Sequence, residues 1–318
     1  MFEVPVLFLT FNRLDTVKQV FGQIKKQQPA KLYFASDGPR ANVSGEKEKV
    51  EELRNWVLSQ IDWNCDVKTL FREANLGCDK AVSSAICWFF ENVEYGIILE
   101  DDCMPSDSFF IYCETLLQKY KNDSRIMHIA GNNPLEICDA DNASYYFCKI
   151  QQCWGWASWS RAWKYFNFTI TNTDEFCKSK QFKKIFKYST ERAYWKRVFY
   201  EASEHKLNSW DYQWAYAILK NNGLCINPCK NLISNLGFSA DALHTTDLTA
   251  PQNNMKRYEI GKMTHPTKIE YNEKLCDAIS ERQYYIVIHH ILSYKIKVFY
   301  RDYIKKMLKT ILSPFLNK

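Results

Sequence analysis

The sequence predicts an α/β protein whose mostly parallel sheet carries helices on both faces, and three observations predict it. Short apolar runs alternate with segments whose apolar residues recur at helical spacing, in the order β-α-β-α-β-α-β from Val4 to Glu100. Right-handed crossovers lay successive helices on both faces of a parallel sheet, so this alternation sets the architecture. Each run also ends in a polar cluster, and ligands of such sheets bind beyond the carboxyl ends of the strands. At 318 residues, 46% hydrophobic and 15% aromatic, the chain has ample apolar surface for a packed core.

The elements follow in order. "VPVLFLTF" is the first strand, and Val17, Val20, Phe21 and Ile24 mark the helix after it. "KLYFASDG" is a strand closed by a turn signal. A charged helix carrying Val50, Leu53, Val57 and Ile61 leads to the strand "DVKTLF". Ala81, Val82, Ala85, Trp88 and Phe89 form the next helical face, and "YGIILE" is the fourth strand. Ser106 is placed to cap a helix with Phe109, Cys113, Leu116, Leu117 and Tyr120 on one side. "RIMHIAGNN" is a further strand. An aromatic stretch, "YYFCKIQQCWGWASWSRAW", then precedes a basic helical region over 174–203, a helix from Trp210 to Lys220, and the strand "LCINP". From about Gln283 an amphipathic helix is expected, with Leu292, Ile296, Phe299, Tyr303 and Met307 on one face. The predicted domains are 1–282, with a first half of 1–135 and a second of 136–282, and a tail of 283–318.

The net charge of +6 is concentrated in that tail, where seven cations from Lys295 onward face Asp302 alone, leaving residues 1–294 neutral. Cations opposite an aromatic and aliphatic face suit an anionic membrane surface, and nothing in the chain resembles a nucleic-acid motif. The N-terminal "MFEVPVLFLTFNR" lacks a basic leader and a small-residue cleavage site, and no apolar run reaches the ~20 residues of a spanning helix. The expected location is therefore cytoplasmic, peripheral on the inner face of the plasma membrane. The twelve cysteines are scattered in apolar contexts and are read as reduced thiols; Cys225 and Cys229 have no second pair at zinc spacing.

The chemistry concentrates in "GIILEDDCMPSDSFF". An apolar strand delivers Glu100, Asp101 and Asp102 to its end, and adjacent acids beside a low-dielectric sheet need a compensating cation or proton. An exposed loop or a helix cap would also accommodate three acids. Their position after the fourth parallel strand favours a hard divalent cation, magnesium or manganese, which takes oxygen ligands and leaves room for phosphate oxygens. Asn12 with Arg13, Ser36 with Asp37, and Arg72 with Asn75 end the other three strands. In "SWDYQW", Asp211 lies beside Trp210, and Trp214 is one turn on. The acid is either a general base beside flat apolar rings or a helix cap on a tryptophan core. "GWASWSRAW" sets Gly155 and Trp156 in another aromatic group, suited to packing or to a sugar face.

Taken together, "PVLFLTFNR", "SDG", "GIILEDDCMPSDSFF", "GWASWSRAW" and "SWDYQW" resemble a nucleotide-sugar glycosyltransferase of the GT-A type, with its Rossmann-like sheet. The similarity is to the N-acetylglucosaminyltransferase I group and related bacterial nucleotide-diphospho-sugar transferases, over residues 4–245. It implies that Asp102 is the metal ligand, that Asp101 lies beside diphosphate and ribose, and that Glu100 bonds the donor sugar. It further implies that Arg13 meets the nucleotide, that Asp37 reads a uracil ring, and that Asp211 is the base. Gly155 and Trp156 would shape the sugar and acceptor pocket, with Trp210 beside it. "REANLGCDKAV" is similar to a stretch of bacterial family 2 glycosyltransferases, which implies Arg72 and Asn75 near the nucleotide. In "NLGFSADALHT", His244 matches a histidine that some such enzymes bring to metal or diphosphate.

The expected function is a metal-dependent, inverting transfer of a sugar from a UDP-sugar to a saccharide or lipid-linked saccharide acceptor in bacterial envelope glycan synthesis, a polysaccharide-building hexosyltransferase. Two rivals stand beside it. A sugar nucleotidyltransferase would show a glycine-rich phosphate loop after the first strand, and "LTFNRLDTV" has no glycine. A non-catalytic glycan-binding protein would have no use for both the acidic triplet and Asp211. Donor sugar, acceptor, linkage and oligomeric state are not encoded in these motifs.

Overall fold

The computed structural model describes residues 2–238, 253 and 255–286. The first hundred residues fold in the expected order: β1 (Val6–Thr10), α1 (Leu14–Gln27), β2 (Lys31–Ser36), α2 (Glu46–Ser59), β3 (Asp66–Phe71), α3 (Cys78–Asn92) and β4 (Tyr95–Glu100), with Ile61 just past the end of α2. The chain continues through β5 (Cys103–Pro105), α4 (Asp107–Lys119), β6 (Ile126–Ala130), β7 (Tyr145–Cys148), β8 (Trp156–Trp159) and α5 (Ser160–Trp163). The basic aromatic region resolves into α6 (Thr173–Lys178), α7 (Lys180–Ile185) and α8 (Ser189–Ser203). Then come α9 (Asp211–Lys220), β9 (Leu224–Pro228), β10 (Ile233–Asn235) and α10 (Glu273–Tyr284).

Eight strands form one sheet in the order β3-β2-β1-β4-β8-β6-β9-β7. β3, β2, β1 and β4 are mutually parallel, and β6 and β9 run in the same direction. β8 is antiparallel to both its neighbours, β4 and β6, and β7 is antiparallel to β9. β5 and β10 pair in a separate antiparallel ribbon. Strands from both expected halves of the domain thus share one sheet.

The pleat divides β1 between two cores: Val6 and Phe8 pack toward α1, α2 and α4, while Leu7 and Leu9 pack toward α3. Val17, Val20, Phe21 and Ile24 of α1 are at most 1% exposed. Each contributes about 1.5–3 kcal/mol by burial, far more than helix propensity supplies to a helix without a side-chain cap. Ser106 stands at the N-cap of α4 as expected, but its hydroxyl does not cap the helix. Glu259 does so instead, accepting from Asp107 N (3.2 Å) and Ser108 N (2.8 Å), because the segment around Ile260 lies across that helix end.

All twelve cysteines are free thiols, and Cys225 and Cys229 are both buried. Among the described residues no helix is long and apolar enough to cross a membrane. Most of the predicted tail, residues 287–318, lies outside the described residues, as does His244.

Candidate active site

The carboxyl ends of β1, β2, β3 and β4 open into one cleft of about 720 Å³. Arg13, Asp37, Arg72, Glu100, Asp101 and Asp102 all line it, so six residues from four strand ends converge as the sequence implied. The convergence follows from parallel pairing: Thr10 is level with Ser36, Ser36 with Phe71, and Leu9 with Glu100. Leu9, Ala35, Leu70 and Val82 supply an apolar floor.

The acidic turn is held by backbone. Phe11 N donates to Asp101 Oδ2 (3.2 Å), and Leu236 N donates to the Asp102 carbonyl (2.8 Å). The compensating positive charge is Arg13, whose Nη2 donates to Asp101 Oδ1 at 2.5 Å and to Asp102 Oδ2 at 2.8 Å. Burial holds the Asp101 carboxyl above the usual carboxylate range, although Arg13 pulls it down. Glu100 is pushed up further by burial and by the charges of Asp102 and Asp101. Asp211, which is not among the residues lining the cleft, adds a smaller push in the same direction on Glu100.

Gly237 lies against this turn. A Cβ added there would lie 2.2 Å from Asp102 Oδ2 and 3.0 Å from Arg13 Nη1, so the chain leaving β10 rests directly on the acid and its guanidinium.

Asp102 has the chemistry of a hard-cation ligand: a carboxylate with its side chain 16% exposed at the cleft wall, and an Oδ1 whose partner among the described residues is the Cys103 thiol at 3.4 Å. Among the described residues no group of three or more His, Cys, Asp or Glu is arranged to hold a metal. A cation at Asp102 would have to draw the rest of its shell from water and ligand oxygens.

Asp37, implied to read a uracil ring, lines the cleft with its carboxylate already hydrogen-bonded. Its Oδ1 accepts from Gly38 N (2.9 Å) and Leu76 N (3.0 Å), and its Oδ2 accepts from Asn75 Nδ2 (2.9 Å). The carboxylate staples the β2 turn to the loop after β3, and desolvation holds its pKa up. Arg72 donates to Ser84 Oγ (3.0 Å).

The tryptophans are packed rather than open. Trp156 is 0% exposed, Trp210 3% and Trp214 0%, so the flat faces expected beside a sugar ring are covered by one another. Trp156 stacks on Trp210 (5.6 Å between centroids, 24°) and on His128 (4.9 Å, 22°). His128 Nε2 donates to the Gln152 carbonyl (2.9 Å) while Nδ1 accepts from Trp214 Nε1 (3.2 Å), and burial lowers its pKa to about 4. This stack is the platform on which α9 presents Asp211. Gln151 Nε2 donates to the Asp211 carbonyl (3.0 Å), and the Ser209 hydroxyl donates to the Asp211 carboxylate.

Topology brings the platform to the cleft. Because β8 is antiparallel to β4 and β6, its start lies at their carboxyl ends, with Trp156 level with Ile98 and Ala130. Gly155, at φ 58°, turns the chain into β8, and a Cβ there would lie 2.5 Å from Ile233 and 3.2 Å from Leu99.

Three cleft residues escaped the sequence reading. Arg40 lines the cleft and is clamped by buried Glu46 (Nη2 to Oε1, 2.5 Å), which also accepts from Asn12 (2.9 Å). Lys49 and Asn208 line it too. Behind the wall, Arg54 ties the strand ends together by donating to the carbonyls of Ser36 (3.2 Å), Asp37 (3.1 Å) and Arg72 (2.8 Å). The arginine after "SDGP" was the only visible signal, since a cation on a charged helix is ordinarily solvated.

No protein-family model matches the sequence, and no curated protein sequence matches it. Solved structures give remote likenesses. One is TarS 1–349 of S. aureus, at 11% identity and TM-score 0.34, covering 51% of this chain and 48% of that one. A second is a UDP-glucose pyrophosphorylase complexed with UDP-glucose, at 10% identity and TM-score 0.39, covering 73% and 92%. A third is a cytidylyltransferase from Leptospira borgpetersenii serovar Hardjo-bovis, at 13% identity and TM-score 0.31, covering 66% and 75%. This chain thus spans about half the length of the TarS structure, and likeness this remote assigns no residue a role.

Proposed function

We propose that the chain is a divalent-cation-dependent glycosyltransferase that moves a sugar, with inversion, from a UDP-sugar to a hydroxyl of a saccharide or lipid-linked saccharide acceptor, as in bacterial envelope glycan synthesis. The observation that supports this reading is one cleft shared by four parallel strand ends, lined by cations and by the acidic turn, with Asp211 near enough to raise the Glu100 carboxyl. Arg13, Arg40, Lys49 and Arg72 offer cationic contacts for a diphosphate in a cleft that also carries Asp37 and the acidic turn. The apolar floor over Leu9, Ala35, Leu70 and Val82 suits the flat face of a nucleobase.

In the proposed step, Asp211 accepts the proton of the acceptor hydroxyl as its oxygen bonds to the anomeric carbon. The bond from that carbon to the phosphate oxygen breaks, and its electron pair leaves on UDP. Glu100 would hydrogen-bond the donor sugar, and Asp101 would fix the turn. A manganese or magnesium ion held by Asp102 would supply charge neutralisation of the departing diphosphate. Ser209 and Gln151 orient Asp211, while Trp156 and Trp210 act from beneath as its support. His244 and the basic tail are proposed, on their sequence alone, as a diphosphate contact and a peripheral membrane attachment.

The test is a thermal-shift screen of nucleotide sugars with manganese, followed by a released-UDP assay on the best donor. Donor at 100 times its Kd raises apparent stability by about 2.7 kcal/mol. Asp211→Asn is expected to keep donor binding and to lower UDP release by about 100-fold or more. Absence of binding by every UDP-sugar, or full turnover in Asp211→Asn, defeats the proposal.

A further inference from the structure

The acidic turn already has a cation on it, and that cation belongs to the chain. Arg13 Nη2 bridges Asp101 Oδ1 (2.5 Å) and Asp102 Oδ2 (2.8 Å). The two carboxylate side chains are 5% and 16% exposed, whereas that of Arg13 is 40% exposed in the cleft. We infer that Arg13 is an exchangeable counter-ion of the acidic turn: it excludes a free divalent cation and yields Asp102 only when a diphosphate arrives to take its guanidinium.

Three features separate this from a plain structural salt bridge. β1 and β4 are already joined along Val6–Leu9 and Ile97–Glu100, so the pair is not required to connect them. The acids keep their positions through backbone contacts that do not involve Arg13, from Phe11 N and Leu236 N. The guanidinium is the exposed partner and faces the same cleft as Arg40 and Arg72, where a diphosphate would offer it a second set of oxygens. A divalent ion on Asp102 Oδ2 would meet Arg13 Nη2 directly, and one on Oδ1 would still share a single carboxylate with that guanidinium, so in either case two like charges lie close enough to repel strongly even near a protein surface. Bound diphosphate removes the repulsion by giving the guanidinium another partner. Cation and nucleotide then tighten each other by the same factor, as linkage requires.

The inference rests on the function proposed above, and the experiment keeps the two apart. Manganese binding to the full chain is titrated by electron paramagnetic resonance, without and with saturating UDP, for wild type, Arg13→Gln and Arg13→Lys. Arg13→Gln retains hydrogen-bond donors but no charge. Expected results are weak manganese binding by wild type alone, at least tenfold tighter binding by Arg13→Gln alone, and a correspondingly smaller gain on adding UDP. Arg13→Lys, which keeps the charge and loses the fork, is expected to tighten manganese by a smaller factor, about threefold, and preserves the measurement if the glutamine variant does not fold. If UDP binds but neither variant binds manganese more tightly than wild type, the exchange is refuted while the function stands. If wild type binds no UDP at any manganese concentration, the proposed function fails and the inference fails with it.

Discussion

The platform under Asp211 predicts an acid sensitivity that isolates one residue. His128 is fully buried and neutral, with both ring nitrogens in use: Nε2 donates to Gln152 O and Nδ1 accepts from Trp214 Nε1. Protonation would put a second proton where Trp214 already donates. Burial accordingly lowers its pKa from 6.5 in the unfolded chain to about 4. A group with a depressed folded pKa stabilises the fold above its unfolded pKa and loses that contribution as pH falls. The loss begins near pH 6.5 and is complete near pH 4, and a shift of this size corresponds to about 3 kcal/mol. His128→Gln is the appropriate comparison, because its amide can donate to Gln152 and accept from Trp214 yet cannot titrate. Urea unfolding of both proteins at pH 7, 6, 5 and 4 reads the difference between their stabilities. Glu100 and Asp101, held high by burial, titrate in both and cancel in that difference. The glutamine variant is expected to be less stable at pH 7, through lost stacking on Trp156, and to draw level or overtake by pH 4. Parallel pH profiles would show that the His128 network does not hold a neutral imidazole.

Other outcomes follow from single contacts. Gly237→Ala would place a methyl group against Asp102 Oδ2, and a loss of at least tenfold in UDP–manganese affinity is expected by calorimetry, with the melting temperature little changed. Lys149→Met would leave Glu191, 0% exposed, without its cation, at a cost of about 3–5 kcal/mol in urea unfolding; Glu191→Gln added to it should recover part of the loss. Glu259→Ala removes the acceptor at the start of α4 and should cost about 1 kcal/mol in the same assay. Truncation after Ile286, rather than inside α10 where Ile279 and Ser280 are buried, is expected to abolish co-sedimentation with anionic vesicles while leaving the melting temperature unchanged.

The parallel half of the fold was legible because its signal repeats. β1, β2 and β4 are apolar runs and β3 is a half-exposed edge strand, each followed by a polar end and, directly or after β5, by a helix, so the strand ends announced the cleft together with the fold. β7 and β8 carried no such signal. Both are buried along their whole length, so "YYFC" and "WASW" show no polar alternation to mark a strand. β5 and β10 are three residues each, too short for any period. The tryptophans show a different limit. Spacing placed Trp210 and Trp214 on one side of α9 but cannot tell an inner side from an outer one, and burial assigns them to the core. Asp37 was correctly placed at a strand end, while its stapling role depends on Leu76 and Asn75, nearly forty residues away.

The reversed strand beside β4 explains how the segment that supports Asp211 comes to the same sheet edge as the acidic turn. Were β8 parallel to β4, the chain would enter it at the far edge of the sheet, and Gly155 with the Gln151 segment would lie a strand length from Glu100. Antiparallel entry puts them at the carboxyl ends of β4 and β6, where Trp156 is level with Ile98 and Ala130. Gln151 then reaches the Asp211 carbonyl, and the His128–Trp156–Trp210 stack lies directly beneath the helix that carries the acid. The β5–β10 ribbon does the same on the other flank, because β5 begins one residue after Asp102 and its antiparallel partner must leave the ribbon there. Gly237 therefore meets Asp102 and Arg13 as a consequence of pairing register. A cleft assembled this way ties the position of the acidic turn to the position of Asp211 through rigid sheet, so a substitution that merely thins the tryptophan platform should raise KM little and lower kcat.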